Sequence, residues 1–457
     1  VTELGIAGRP VNKVRLLIVL AVIAALFVMA WIFLPARLVR LGLFSLVLLP
    51  FIIYILDRPS WIFYFLFFIL CSNMDVLVQF RIFRFTLLLF MLSFAIALLN
   101  GRRLVIPDRV FLLLVTAFLL IAIQSTIVVK NMDAHLARLS YFVKMLINIA
   151  VIFQFVRDRR EFRTLLIVYA IAILVTDLLP FIKAPEKRWH PMTIMWGQGV
   201  LRYEGYAMEP NGFAMIQNLL IPILLFLFAV YKKPKIARPL FLAGAAASLL
   251  VLVLSFSRGG FVGLVAMIIA LLIVERRNRT VMVTGFALII AALILAPGIY
   301  WERISSIVDF DRQIMSDYSI MTRIKTMEVA LKIGLANPVL GVGLENFIFH
   351  SSYYVPFKLT VHNAYLQVFA ETGFPGFIVF IGIIIYNLRI LGRMMRRSND
   401  PEAAQLGRLL LVQQVAILVN ANFIPATYDF WLWFALSLPA MADIAYRKSP
   451  RVESAIR

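Results

Sequence analysis

The chain has 457 residues, 62% of them hydrophobic and only 15% charged, with a mean hydropathy of +0.91. A soluble domain averages about 45–50% apolar and about 25% charged residues, so this composition excludes a soluble globular protein and demands a polytopic helical membrane protein. The net charge of +21 raises nucleic acid as a partner, but basic loops anchoring one membrane face explain it without one, and no nucleic acid is expected. The single cysteine, Cys71, lies in an apolar run and cannot form an internal disulfide. The first apolar run suits a retained span better than the core of a cleavable signal.

Segments long enough to cross about 30 Å of hydrocarbon are predicted, in chain order, at 14–34, 38–56, 61–78, 83–99, 109–129, 141–156, 163–181, 212–231, 239–257, 259–275, 281–297, 374–391, 408–423 and 430–446. The expected fold is therefore all-α: one membrane domain over 1–457, with about 12–14 transmembrane helices. Two longer polar stretches interrupt it, at 182–211 and 298–373. Within the second, 320–335 reads as an amphipathic helix with Ile320, Ile324, Met327 and Leu331 on one face, suited to the membrane interface. Asn337-Pro338 stops it.

The short basic loops all fall on one side of this arrangement. They include Arg102-Arg103, Arg157 to Arg163, Lys232 to Arg238, Arg276 to Arg279 and Arg393 to Arg397. By the positive-inside rule that side, with both termini, is cytoplasmic. Both long loops, the Ser257-Arg258-Gly259 break and all four histidines (His135, His190, His350 and His362) then lie on the extracytoplasmic side. The cytoplasmic loops hold no Gly-rich phosphate loop and no room for a nucleotide-binding domain.

Four constellations on that outer side carry chemistry. Arg258 interrupts a long apolar stretch, and its planar donor fork suits an anion. The glycines beside it, Gly259, Gly260 and Gly263, permit close helix approach. In the shorter loop, Arg202, Glu204 and Glu209 gather near Pro210-Asn211, where Asn211 is placed to cap the next helix. Lys187 to His190 reads as an interfacial anchor. Arg323 precedes a glycine-dotted run through Gly341 and Gly343. Finally His362-Asn363 is followed by Gln367, Glu371 and Gly373-Phe374-Pro375-Gly376. If helical, the segment puts Gln367 and Glu371 on one face and His362 and Leu366 on another. A histidine near its ordinary pKa accepts a proton from a hydroxyl. Arginines neutralise the charge growing on a leaving diphosphate. No two histidines have the spacing of a helical metal site and no HExxH occurs, so neither a metal nor another cofactor is expected.

Together these residues resemble the O-antigen ligase and O-antigen polymerase family of bacterial envelope proteins. The family pattern of His, then Asn, Ser or Gln, nine residues and Gly-x-x-Gly is met by His362, Asn363, Ala364 to Thr372, Gly373 and Gly376. Ser257-Arg258-Gly259, Arg323 with Pro338 to Gly343, and Glu209-Pro210-Asn211 match its other motifs, although Asp is the commoner acid in the last. The resemblance spans roughly 200–380.

It implies a metal-independent, inverting membrane glycosyltransferase of the bacterial inner membrane, with its active site in the periplasm and a long, partly helical periplasmic loop. The donor would be an undecaprenyl-diphosphate-linked glycan. The acceptor would be another lipid-linked repeat unit for a polymerase, or a lipid A core for a ligase. His362 would be the base or acceptor-orienting residue. Arg258 and Arg323, with Arg202, would bind the diphosphate. Glu209, Asn211, Asn363, Glu371, Gly373 and Gly376 would support the site. The rival class is a flippase for the same lipid, or another transporter. Transporters bind near the midplane, often at broken helices, whereas the polar residues here gather at one face.

Overall fold

The computed structural model describes residues 59–72, 83–183, 189–191, 201–203, 210–276, 318–354 and 360–447 without 398, with scattered positions between 279 and 294. The expected spans at 14–34 and 38–56, and most of 281–297, lie outside the described residues.

The described chain is a helical bundle. Its helices are α1 (Pro59–Ser72), α2 (Phe83–Leu99), α3 (Arg109–Gln124), α4 (Met132–Gln154), α5 (Arg159–Lys183), α6 (Pro210–Val230), α7 (Ala237–Leu254), α8 (Arg258–Val274), α9 (Tyr318–Ala336), the short α10 (Phe347–Ser351), α11 (Ala364–Met395), α12 (Pro401–Asn420) and α13 (Phe430–Arg447). Six stretches of the described chain are helical, long and apolar enough to cross a membrane, at α3 with the turn that follows it, α4, α6, α7, α11 and α12. This is the all-α, multi-pass membrane fold that the composition demands. One small departure is a two-stranded antiparallel ladder, β1 (Trp189–Pro191) with β2 (Leu201–Tyr203), in which His190 pairs with Arg202.

Apolarity alone does not distinguish these helices, but burial does. Of the membrane-length window of α6, 83% is buried inside the protein, against 22% for α3. α6 is thus the central post, packed by α5, α7, α8 and α12. α3 turns Leu112, Leu113, Leu120 and Ile123 outward, as a helix bathed in lipid does. Small residues let the central helices close. A Cβ on Gly260 would sit 2.4 Å from the Cβ of Ala214 in α6, and one on Gly263 would sit 1.9 Å from Asn420 Nδ2 in α12. An aromatic cluster of Phe118, Phe142, Phe380 and Trp433 joins α3, α4, α11 and α13.

Several helices begin earlier than their charges suggest. α4 starts at Met132, not 141, α11 at Ala364, not 374, and α12 at Pro401, not 408. For α4 and α12 the reason is pairing. Arg408 lies in the second turn of α12 and binds Glu275 at 2.7 Å. Arg138 lies in the second turn of α4 and binds Glu345 at 2.7 Å. A charge met by its counter-ion no longer ends a helix.

The antiparallel alternation sorts the ends of the helices into two levels. One carries the basic loops and a girdle of ion pairs: Arg102–Glu161 at 2.6 Å, Arg397–Asp443 at 2.7 Å, Arg159–Asp400 and Arg163–Glu402. The other carries the cavity described next.

Candidate active site

The cavity-bearing end is organised by a break in α11. Gly373 adopts φ 68° and ψ −169° inside the helix, a conformation open to glycine and strained for other residues. Pro375 brings no N–H. The carbonyls of Ala370 and Glu371 thereby lose their helical donors, and the glycine run downstream of α9 supplies new ones. Val342 N donates to Ala370 O at 3.0 Å, and Gly343 N donates to Glu371 O at 2.9 Å. In return Phe374 N donates to Pro338 O at 2.8 Å. The fit leaves no room for side chains: a Cβ on Gly341 would lie 2.3 Å from the Glu371 carbonyl carbon, and one on Gly373 would lie 2.7 Å from Pro338 O. The Asn337–Gly343 run is a backbone clasp on the α11 kink. Gly376 leaves space for Thr372, whose hydroxyl binds Val368 O.

The segment after the clasp is tied to the start of α4. Asn346 is fully buried; its Oδ1 accepts from the amides of Lys130 and Asn131, and its Nδ2 donates to Asn131 O and Leu344 O. His135 Nδ1 accepts from Leu344 N at 3.0 Å. In the neutral ring Nε2 then carries the proton and donates to Thr126 Oγ1, 2.8 Å away. His135 is thus a bonded core histidine. His350 Nδ1 donates to Asn346 O at 3.0 Å, and burial holds its imidazole below the usual histidine range.

These ties shape a cavity of about 490 Å³. His362 lines it from just before α11. Gln367 and Glu371, both buried, line it from the first two turns of that helix. α4 contributes Arg138 and Tyr141, the clasped segment contributes Glu345, and the start of α13 contributes Asp429 and Trp431. The volume and the mix of aromatic walls with a few polar groups are those of a small-ligand site. Within it Glu345 holds Arg138 through Nε, and the guanidinium lies 5.9 Å from the centre of the Tyr141 ring.

The residues anticipated from sequence distribute unevenly. The cavity takes His362 and Glu371. Asn363 caps α11, accepting from Leu366 N at 3.0 Å, so His362 precedes the helix instead of sharing a helical face with Leu366. Asn211 is not a cap, because α6 already begins at Pro210. Its Oδ1 accepts from Ser257 Oγ at 2.8 Å, while Ser257 caps α8 by accepting from Gly260 N. That link sets Arg258, the first residue of α8, beside the start of α6, whose Gly212 lines the cavity. Arg258 and Arg323 are half-buried, and the cavity lining includes neither. Arg202 lies in β2, and Glu209 lies outside the described residues.

Sequence reasoning passed over Arg138, Tyr141, Glu345, Asp429 and Trp431. The one signal for them was local: an arginine in the first turns of α4, and an acid beside aromatics at the start of α13. Only the fold joins these segments.

No curated protein matches the chain. The family model described as O-antigen ligase matches residues 243–381. That span holds the Ser257-Arg258-Gly259 break, Arg323, the glycine clasp, His362 and the α11 kink. Over this segment, less than half of its length, the chain is similar to the O-antigen ligase family.

Proposed function

We propose that the protein is a metal-independent, inverting glycosyltransferase that moves a glycan from a polyprenyl diphosphate, of the undecaprenyl type, to an acceptor hydroxyl. The observation that carries this reading is His362 in a cavity with Glu371, at the opposite end of the bundle from the ion-paired basic loops. With those loops cytoplasmic, the cavity opens toward the periplasm of a bacterial inner membrane.

The acceptor hydroxyl attacks the anomeric carbon and its proton passes to His362. The bond from that carbon to the diphosphate oxygen breaks, and the electron pair leaves with the diphosphate. Arg258 and Arg323, with Arg202 on the neighbouring loop, neutralise that charge. Glu371 lines the reaction cavity, while Asn211, Asn363, Gly373 and Gly376 hold its walls. The lipid-linked donor carries its own activation, so no nucleotide is consumed.

Purified full-length protein is to be incubated with the undecaprenyl-diphosphate glycan, with and without a lipid A core. A ladder formed without core identifies a polymerase, and transfer only with core identifies a ligase. Movement of the lipid between leaflets with no new glycosidic bond would overturn the proposal in favour of a flippase.

A further inference from the structure

α4 carries a row of open hydrogen-bond donors from the cavity into the membrane. Arg138, Tyr141 and Lys144 stand three residues apart, so they fan over about a third of the helix circumference and span about 9 Å along it. Arg138 and Tyr141 line the cavity, and Lys144 lies a turn further along, outside the lining. Glu345 takes only Nε of Arg138, which leaves the N–H groups of both terminal nitrogens open. The Tyr141 hydroxyl and the Lys144 ammonium have no hydrogen-bond partner among the described residues, and both side chains are exposed. An exposed lysine in a membrane helix is costly unless its ammonium reaches the polar layer or meets an anion. Helical side chains tilt toward the helix N-terminus. For α4 that is the cavity end, so the Lys144 stem runs toward Tyr141 and the cavity-side edge of the bilayer. Its neighbours three and four residues away are Ser140, Tyr141, Ile147 and Asn148, so α4 itself supplies no counter-ion. Donors without acceptors, two of them cationic, suit an anion. The carboxyls of Glu371 and Asp429 line the cavity from α11 and from the start of α13, which places that anion on the α4 side, toward lipid. An anion at that depth is the phosphate of a lipid.

Resting on the transferase reading above for the kind of lipid, we infer that Arg138, Tyr141 and Lys144 form a second phosphate site, separate from Arg258 and Arg323, which holds the phosphate of a lipid-linked substrate where it passes between the membrane and the cavity.

The native ε-amine of Lys144 reports on this site directly. In the intact protein in phosphatidylcholine nanodiscs, acylation of Lys144 by acetic anhydride is followed by peptide mass spectrometry, with undecaprenyl diphosphate, lipid A or phosphatidylglycerol added at equal mole fraction. Undecaprenyl diphosphate or lipid A should slow the reaction severalfold, and phosphatidylglycerol should leave it unchanged. Protection by the first assigns the site to a polyprenyl-linked substrate, and protection by the second assigns it to a lipid A core acceptor. The same protection should persist in Arg258→Ala. Protection by neither substrate lipid, equal protection by phosphatidylglycerol, or its loss in Arg258→Ala overturns the inference. The readout needs no turnover, so it stands apart from failure of the transfer assay. Where transfer is seen, Lys144→Gln should raise KM for one lipid substrate alone by about tenfold, the worth of one hydrogen bond to a charged group, and Lys144→Arg should restore it. No change in either KM, or an equal rise in both, also overturns it.

Discussion

The two ends of the bundle use the same residue types for opposite purposes. At the basic end Glu161, Glu275, Asp400, Glu402 and Asp443 each meet an arginine from another helix or loop. At the cavity end Glu371 and Gln367 keep oxygens that the described protein does not fill. Such pairs fix helix ends in register, although Glu275 Oε2 too lacks a hydrogen-bond partner among the described residues. Unsatisfied acceptors are a standing cost, met by water or by a ligand. The backbone follows the same division. The described helices that pack through the basic end run unbroken there, whereas the cavity end holds the α11 kink and its glycine clasp.

The largest expected effect tests the cavity end. His362→Ala should lower glycan transfer by about 10²–10⁴-fold, the range of a lost general base, with an unchanged melting temperature in detergent. Full activity would remove His362 from the chemistry. Next is the clasp. Gly341→Ala places a methyl against the Glu371 backbone at a φ of 66° and should cost on the order of 3 kcal/mol, read by thermal unfolding. A variant of native stability would show that the kink holds without the clasp. At the basic end, Arg163→Ala removes the cation that is hydrogen-bonded to Glu402 at 2.8 Å, with side chains 26% and 20% exposed, and leaves Glu402 the Tyr446 hydroxyl. The expected loss is about 2 kcal/mol with the acceptor KM unaltered. A selective change in that KM would mean the two ends are coupled. The smallest effect belongs to Glu328 on α9, whose pKa Lys332 and Lys325 pull down to about 2. A depressed carboxylate adds stability above its ordinary pKa and loses it as pH falls toward 2. This one is fully exposed and screened, so Glu328→Gln should leave the melting temperature at pH 7 unchanged. A clear fall would make α9 a stability element.

Much of the bundle is legible because apolar runs of sufficient length have one stable form in lipid. Helix ends are less so. Arg408 and Arg138 look like boundaries until Glu275 and Glu345 are brought to them. α9 is also only half read. Ile324 and Leu331 form an exposed apolar stripe, as the pattern suggests, but the face that packs on the protein is Val329, Ala330 and Ile333. A helix with two apolar faces does not declare which one the core will take.

By itself the sequence determined the solvent and the helical class and marked His362 as a residue of interest. All of these follow from local composition and spacing. Only the tertiary structure decided that Gly341, Gly343 and Gly373 form one clasp, that Asn211 ties α6 to Ser257, and that Arg138, Glu345 and Asp429 line one cavity with His362. Those partners lie far apart along the chain, and their pairing depends on which buried donors and acceptors the packed helices leave to be satisfied.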